Sequence, residues 1–289
     1  MGAFFFGLGY SSQAAAENMQ ATGLFARIGG TVRSPEKAAA LRSKGLETVL
    51  FDGSSAGSEV GPALGGVTHI VSSDAPDADG DPVLRHHRAD LDAAADLVWL
   101  CYYSTVGVYG DFDGAWIDEA ATLDPRNDRS VWRVQAEKEW RDYAAARGVP
   151  LLILRLAGIY GPGRSTFDKL RDGTARRVVK QSQVFNRIHV EDISRVTALA
   201  AVQRLAGTYN LADDLPAPPQ DLVTHAAALL DMEPPPEVAF GDAQFTPMQR
   251  SFYADNKRVS NGAIKAALGI DLLYPDYRTG LAAILKAEQ

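Results

Sequence analysis

An α/β fold built on a doubly wound parallel sheet is what this sequence predicts, and three observations predict it. Short apolar runs alternate with helix-patterned segments through the first two-thirds of the chain, which is the mark of βαβ units. The opening Ala3-Phe4-Phe5-Phe6-Gly7-Leu8-Gly9-Tyr10-Ser11-Ser12 is an apolar run, a glycine turn and a helix start in succession. That order is the one a Rossmann-type first unit needs. The pattern changes at Asp213, beyond which Pro216, Pro218, Pro219 and Pro234–Pro236 break the alternation. The expected architecture is a Rossmann-type sheet domain over residues 1–160, rejoined by 184–212. A small discontinuous substrate lobe follows, residues 213–289 with 161–183, set over the carboxyl ends of the strands.

Each element has its own justification. Strands are expected over Ala3–Phe6, Arg27–Thr31, Thr48–Phe51, His69–Ser72, Leu97–Tyr102 and Leu151–Leu154, all short and apolar as buried parallel strands are. Helices are expected over Ser12–Gln20, Pro35–Lys44, Asp81–Ala95, Ser130–Arg147 and Val190–Gln203. Ser34-Pro35-Glu36-Lys37 is a helix start with Ser at the N-cap and Pro at the first helical position, where a missing N–H costs nothing. In the lobe, Pro219–Leu230 and Asn261–Leu268 read as isolated helices.

Composition narrows the function. The chain has 289 residues, 46% hydrophobic and 22% charged, with a net charge of −7. That balance offers no basic footprint to nucleic acid and no attraction to an anionic membrane. No run approaches the roughly 20 apolar residues of a membrane span. The start lacks the cationic region of a secretory signal, and Phe6 stands where a myristoylation motif needs Ser or Thr. A cytoplasmic protein is expected. The single cysteine, Cys101, lies in an apolar run and reads as packing. His86 and His87 are adjacent, so they would point to different faces of a helix; a solvated helix is the expectation, and no metal site.

Gly7-x-Gly9 between strand and helix points to a nucleotide. Gly7 permits the tight turn, Gly9 lets backbone approach a pyrophosphate at the helix amino terminus, and Ser12 replaces the third glycine. Tyr10, Ser11 and, at the end of the fourth strand, Ser72 join them as cofactor contacts. The second strand ends Gly30-Thr31-Val32-Arg33-Ser34, with Lys37 one turn on. An acid binding the ribose hydroxyls of NAD is missing there. Arg33 can grip a 2′-phosphate with Ser34 and Lys37 assisting, so NADP is the expected cofactor; a solvated helix start is the plainer reading. Asp52, closing the third strand, suits either the adenine amino group or a turn cap.

Further blocks follow: Tyr103-Ser104-Thr105-Val106-Gly107-Val108-Tyr109-Gly110, Trp116-Ile117-Asp118-Glu119, Ile159-Tyr160-Gly161-Pro162-Gly163, His189-Val190-Glu191-Asp192 and Tyr209-Asn210-Leu211-Ala212-Asp213. In order and spacing they resemble the extended short-chain dehydrogenase/reductase family, the NAD-dependent epimerase/dehydratase group, and within it an atypical subgroup with a degenerate active-site tetrad. The resemblance spans nearly the whole chain. It implies an active-site hydroxyl at Thr105, with Ser104 as a substitute. It also implies a Tyr-x-x-x-Lys pair, in which the tyrosine donates a proton and the lysine holds the nicotinamide ribose. The chain departs here, placing Arg129 and Arg133 at those positions. Arg133 can still bind ribose hydroxyls. Arg129 is a poor acid, because a guanidinium does not give up its proton, but suits an anionic substrate. Surface arginines on an amphipathic helix are the equal alternative.

Tyr109 is the substitute proton donor, beside a substrate-lobe residue or water. A literal Tyr253–Lys257 pair lies far past the sheet and reads as coincidence. Asp118-Glu119 are sequence neighbours in a loop, and His189 reads as a structural hydrogen bond at a helix start. The family also implies a homodimer through helix Ser130–Arg147, where Trp132, Val134, Trp140 and Tyr143 suit a core and a partner equally. The function expected is an NADP-dependent oxidoreductase or epimerase-like enzyme acting on a small polar, sugar-like substrate. The alternative is a non-catalytic NADP(H)-binding sensor.

Overall fold

Every residue of the first strand, β1 (Gly2–Phe6), is buried, as a central strand covered on both faces must be. This computed structural model describes residues 1–289, the side chain of Met248 excepted. In chain order there follow α1 (Tyr10–Ala21), β2 (Arg27–Val32), α2 (Pro35–Arg42), β3 (Glu47–Leu50), α3 (Val60–Ala63), β4 (His69–Ser72), α4 (Pro82–Ala93) and β5 (Trp99–Thr105). Next come β6 (Trp116–Ile117), α5 (Asp128–Arg147), β7 (Leu151–Leu156), β8 (Gly158–Tyr160), α6 (Thr166–Arg171), β9 (Arg177–Val179), β10 (Arg187–His189) and α7 (Val190–Gln203). The chain closes with β11 (Gly207–Leu211), α8 (Pro219–Leu229), β12 (Glu237–Ala239), α9 (Pro247–Ser251), β13 (Arg258–Val259), α10 (Gly262–Leu268) and α11 (Tyr277–Ala287).

Seven strands form one parallel sheet in the order β11-β7-β5-β4-β1-β2-β3, the doubly wound α/β arrangement the sequence predicts. The chain runs outward from β1 through β2 to β3, then returns to lay β4 on the other side of β1. That reversal creates a switch point at the carboxyl ends of β1 and β4, where open α/β sheets bind ligands. Phe6 stands in register with Ser72, and Ser72 with Tyr102. Close packing of β1 on β2 requires Gly30: a Cβ there would fall 2.3 Å from the Phe5 carbonyl oxygen.

The chain divides into two compact units. The first holds Met1–Val108, Pro125–Arg155 and Ile193–Tyr209. Its core gathers Phe4, Phe6, Ile70, Leu100, Tyr102, Trp140 and Tyr143. Trp140 and Tyr143 are therefore core residues, while Trp132 and Val134 are half-buried. The second unit holds Tyr109–Asp124, Leu156–Asp192 and Asn210–Gln289. It packs α6, α8 and α11 around Phe167, Ala226, Tyr277 and Leu281. Among the described residues no helix is long and apolar enough to cross a membrane.

His87 departs from expectation. It is fully buried rather than solvated, with its ring 4.6 Å from that of Phe51 and its Nδ1 2.8 Å from Asp90. A local kink in α4 at His87 turns the ring inward, which helix periodicity alone does not show.

Candidate functional site

The β1–α1 turn is built from Gly7 outward. Gly7 takes φ +83°, which favours glycine. Its N–H donates to Thr31 Oγ1 at 2.8 Å, and the Leu8 N–H to the Thr31 carbonyl at 2.8 Å. Thr31 thus ties the turn to β2. Gly9 is the N-cap of α1, a helix with no side-chain cap and no acid in its first turn. A Cβ on Gly9 would meet only the Gly7 carbonyl, at 3.9 Å. Open space above an uncapped helix start fits a diphosphate, which needs close backbone approach and no competing anion. Tyr10 is half-buried and Ser11 buried in that first turn. Ser12, in place of the third glycine, is 1% exposed. It donates to Ser73 Oγ at 2.9 Å, and Ser73 donates to the Gly7 carbonyl at 2.7 Å. A hydroxyl chain therefore closes α1 onto the segment after β4.

At the end of β2, Arg33 is exposed and has no hydrogen-bond or ion-pair partner among the described residues. Ser34 caps α2, its oxygen accepting from the Lys37 N–H at 3.3 Å. Partial burial, and then the Arg33 charge, lower the Lys37 pKa. Asp52 accepts from the Ser54 N–H and hydroxyl at 2.9 and 2.7 Å. Those bonds hold its pKa below the ordinary value and give it the geometry of a turn cap. Ser72 is buried with its Oγ unpaired among the described residues.

At the end of β5 the candidates separate. Thr105 is half-buried and its Oγ1 accepts from the Gly107 N–H at 3.1 Å, which leaves the hydroxyl hydrogen for another acceptor. Ser104 instead donates into the core, to Glu137 Oε1 at 2.6 Å. Glu137 also accepts from Arg155 at 3.0 and 2.8 Å and from Arg141 at 2.9 Å. Burial acts to raise the Glu137 pKa, but the Arg155 bonds and charge, with Ser104 and Arg141, outweigh it and hold it low. Ser104 is thus a network residue and no substitute for Thr105. Arg133, half-buried on α5, donates to Tyr102 Oη at 2.9 Å and to the Tyr103 carbonyl at 2.8 Å. Arg129 is exposed in the first turn of α5.

Tyr109 is a correction. It is fully buried in the second unit and its hydroxyl donates to Asn210 Oδ1 at 2.7 Å. With its proton committed and no solvent access, it is a core tyrosine rather than a donor. Lys257 of the literal Tyr-x-x-x-Lys is likewise buried, donating to the Gly110 carbonyl at 2.5 Å. His189 Nδ1 accepts from the Glu191 N–H at 3.2 Å, the helix-start bond expected of it. Glu119 accepts from the Asn210 N–H at 2.8 Å.

Three residues that the sequence reading passed over belong to this region. Ser73 links Ser12 to Gly7. Ser130 is buried, its Oγ 2.9 Å from where a Cβ on Gly107 would stand. Asp74 has Oδ1 at 2.6 Å from where a Cβ on Gly7 would stand, and Oδ2 buried without a partner among the described residues. Burial pushes the Asp74 carboxyl up to about 6, with Asp81 adding and Arg33 and Arg133 opposing. The only sequence signal for Asp74 was a polar run directly after β4.

The model of the NAD dependent epimerase/dehydratase family matches residues 89–212. A search of curated proteins found no match. A functionally unknown conserved protein from Silicibacter pomeroyi DSS is 46% identical, with 99% of each chain covered and a TM-score of 0.90. At 19% identity the likeness is one of fold. DesIV, a dTDP-glucose 4,6-dehydratase from Streptomyces venezuelae solved with NAD and TYD, has a TM-score of 0.80 over 99% of this chain and 96% of its own. MoeE5, solved with UDP-glucose and NAD, has a TM-score of 0.77 over 99% and 98%. A doubly wound sheet with its glycine turn at the switch point is the fold of these solved enzymes, and the segment from residue 89 to 212, across β5 to β11, matches the NAD-dependent epimerase/dehydratase family model.

Proposed function

We propose that the chain is an NADP-dependent oxidoreductase or epimerase-like enzyme acting on a small polar, sugar-like carbonyl or hydroxyl compound. The observation that carries the cofactor choice is Arg33, exposed and unpartnered among the described residues where an NAD-preferring chain places an acid. Lys37 adds charge one turn on, and the Ser34 hydroxyl lies at the same helix start. Gly7, Gly9, Tyr10, Ser11 and Ser12 hold the diphosphate, and Ser72 lines the β4 side. The relatives solved with NAD support a dinucleotide.

NADP, when bound, supplies or accepts a hydride at a substrate carbon. The rest is work for this chain's side chains. Thr105 holds the substrate oxygen through its hydroxyl hydrogen. Arg133, anchored on Tyr102 and the Tyr103 carbonyl, turns its remaining donors to the ribose hydroxyls. Arg129 pairs with an anionic group of the substrate. The proton is exchanged with water or a substrate-lobe residue, since Tyr109 is committed to Asn210. Residues 213–289 with 161–183 supply the substrate lobe, and the UDP-glucose bound by MoeE5 supports a sugar-like ligand. The setting proposed is cytoplasmic, and a homodimer through α5 is supported by the exposed Val131 beside half-buried Trp132.

Calorimetric titration with NADP⁺, NADPH, NAD⁺ and NADH tests this. The phosphorylated pair should bind about tenfold or more tightly, with the preference lost in Arg33→Ala. Binding of none of the four would remove the enzyme reading. The burial of Tyr109 also favours a second reading, a non-catalytic NADP(H) sensor. Turnover of a carbonyl substrate that Thr105→Val abolishes would decide for the enzyme.

A further inference from the structure

Asp74 follows β4 at the switch point, beside the turn that the dinucleotide fingerprint assigns to the diphosphate. Its Oδ1 adjoins Gly7, 2.6 Å from where a Cβ on that glycine would stand. Its Oδ2 is shielded from water and lacks a partner among the described residues. That oxygen is closed to a ligand as it is to water, so contact with the turn, and with what the turn holds, is made by Oδ1. Charges reach the carboxyl from three elements: Arg33 at the end of β2, Arg133 on α5 and Asp81 at the start of α4. The β1–α1 turn packed against it brings only Gly7 and the Ser12–Ser73 hydroxyl pair.

Arg33 marks the 2′-phosphate end of the proposed cofactor and Arg133 its ribose end. A group that feels both, and touches the glycine turn, belongs to the middle of the ligand. An ionised carboxylate would repel a diphosphate there, whereas a protonated one donates a hydrogen bond to it.

We propose that Asp74 is a direct ligand of the dinucleotide's diphosphate, which it meets as the neutral acid, its O–H donating to a phosphate oxygen. This rests on the cofactor reading above. Binding above pH 6 then takes one proton from solvent onto Asp74, and affinity depends on the fraction of protein already protonated. Burial that holds the carboxyl near 6 makes that fraction fall from half at pH 6 to about one in a hundred at pH 8.

The test is calorimetric titration of the whole protein with NADP⁺ at pH 6 and pH 8, and at pH 7.5 in HEPES and in Tris. These two buffers differ in ionisation heat and so count protons. Asp74→Asn keeps an N–H donor without titrating, and it carries the same 2′-phosphate titration. The difference between the two proteins therefore isolates Asp74. The wild-type loss of affinity from pH 6 to pH 8 should exceed that of Asp74→Asn by about 50-fold. About one proton should be taken up by the wild type at pH 7.5 and none through the variant's position 74. Asp74→Ser serves as a second variant should the amide misfold, with the same flattened profile expected. Equal pH profiles in wild type and variant would overturn the proposal alone. So would wild-type affinity rising with pH, the result for an ionised carboxylate accepting from a ribose hydroxyl. Binding by neither protein at either pH would overturn the cofactor reading and the proposal together.

Discussion

Glu137 shows how one buried residue can decide a site it does not enter. It is fully buried and shared by Ser104, Arg155 and Arg141, so β5, α5 and β7 are joined at one carboxylate. Arg155 is only 3% exposed. Replacing Glu137 by Ala would strip that buried guanidinium of its carboxylate bonds, and breaking a buried pair typically costs about 3–5 kcal/mol. Urea unfolding should show a loss of that size, while Arg141→Ala, with its half-exposed side chain, should cost under about 1 kcal/mol. Equal losses for the two would show that the network is not centred on Arg155. Thr105, one residue beyond Ser104, ends the strand and keeps its hydroxyl out of this network. The two neighbours look interchangeable in sequence; strand alternation sends them to opposite faces.

At the scale of an element, α4 depends on its N-cap. Asp81 is 1% exposed and accepts from the Val83 and Leu84 N–H groups at 2.9 and 3.2 Å. Its other oxygen accepts from Trp140 Nε1 at 2.9 Å, which ties α4 to α5. Burial pushes this carboxyl up to about 6 even though Trp140 and the two N–H groups oppose. Asp81→Ala removes a cap, worth about 1 kcal/mol, and leaves the buried indole N–H unsatisfied, worth about 1–3 more. Asp81→Asn should recover most of the cap, because its carbonyl oxygen still accepts. A thermal melt in which alanine and asparagine behave alike would count against the cap. The same element taught the limit of periodicity: His87 was expected in solvent, and the kink at that residue puts it against Phe51.

For the whole molecule, pH dependence of folding is set largely by buried acids. Asp213, in the second unit, is 1% exposed, and its Oδ2 has no partner among the described residues. Burial pushes its pKa from 3.8 up to about 8, against the charge of Arg187 and a bond from the Leu215 N–H. The native state therefore keeps a proton that the unfolded chain has lost once pH passes about 4. Stability contributed by Asp213 falls as pH rises through that window, and the loss is complete above about 8. The total is on the order of 5 kcal/mol. Asp213→Asn should be more stable than wild type at pH 8 and lose much of the decline between pH 5 and pH 8. Parallel stability profiles for the two proteins would place the proton elsewhere.

The sequence by itself determined the sheet and its helices. The strands at His69–Ser72 and helix Val190–Gln203 fall where expected, and the other main elements shift by one to three residues. Burial on two faces, the N-caps at Ser34 and Asp81, and the glycine turn are all written in residues close together along the chain. The resemblance to the family was legible for the same reason, since its blocks are local. Only the tertiary structure decided which candidate side chains were already committed. Ser104 to Glu137 spans 33 positions, Tyr109 to Asn210 spans 101, and Ser12 to Ser73 spans 61. Partners that distant leave no periodic trace. Asp74 was missed on those grounds: its meaning comes from lying against Gly7, and that contact exists only because β4 returns beside β1.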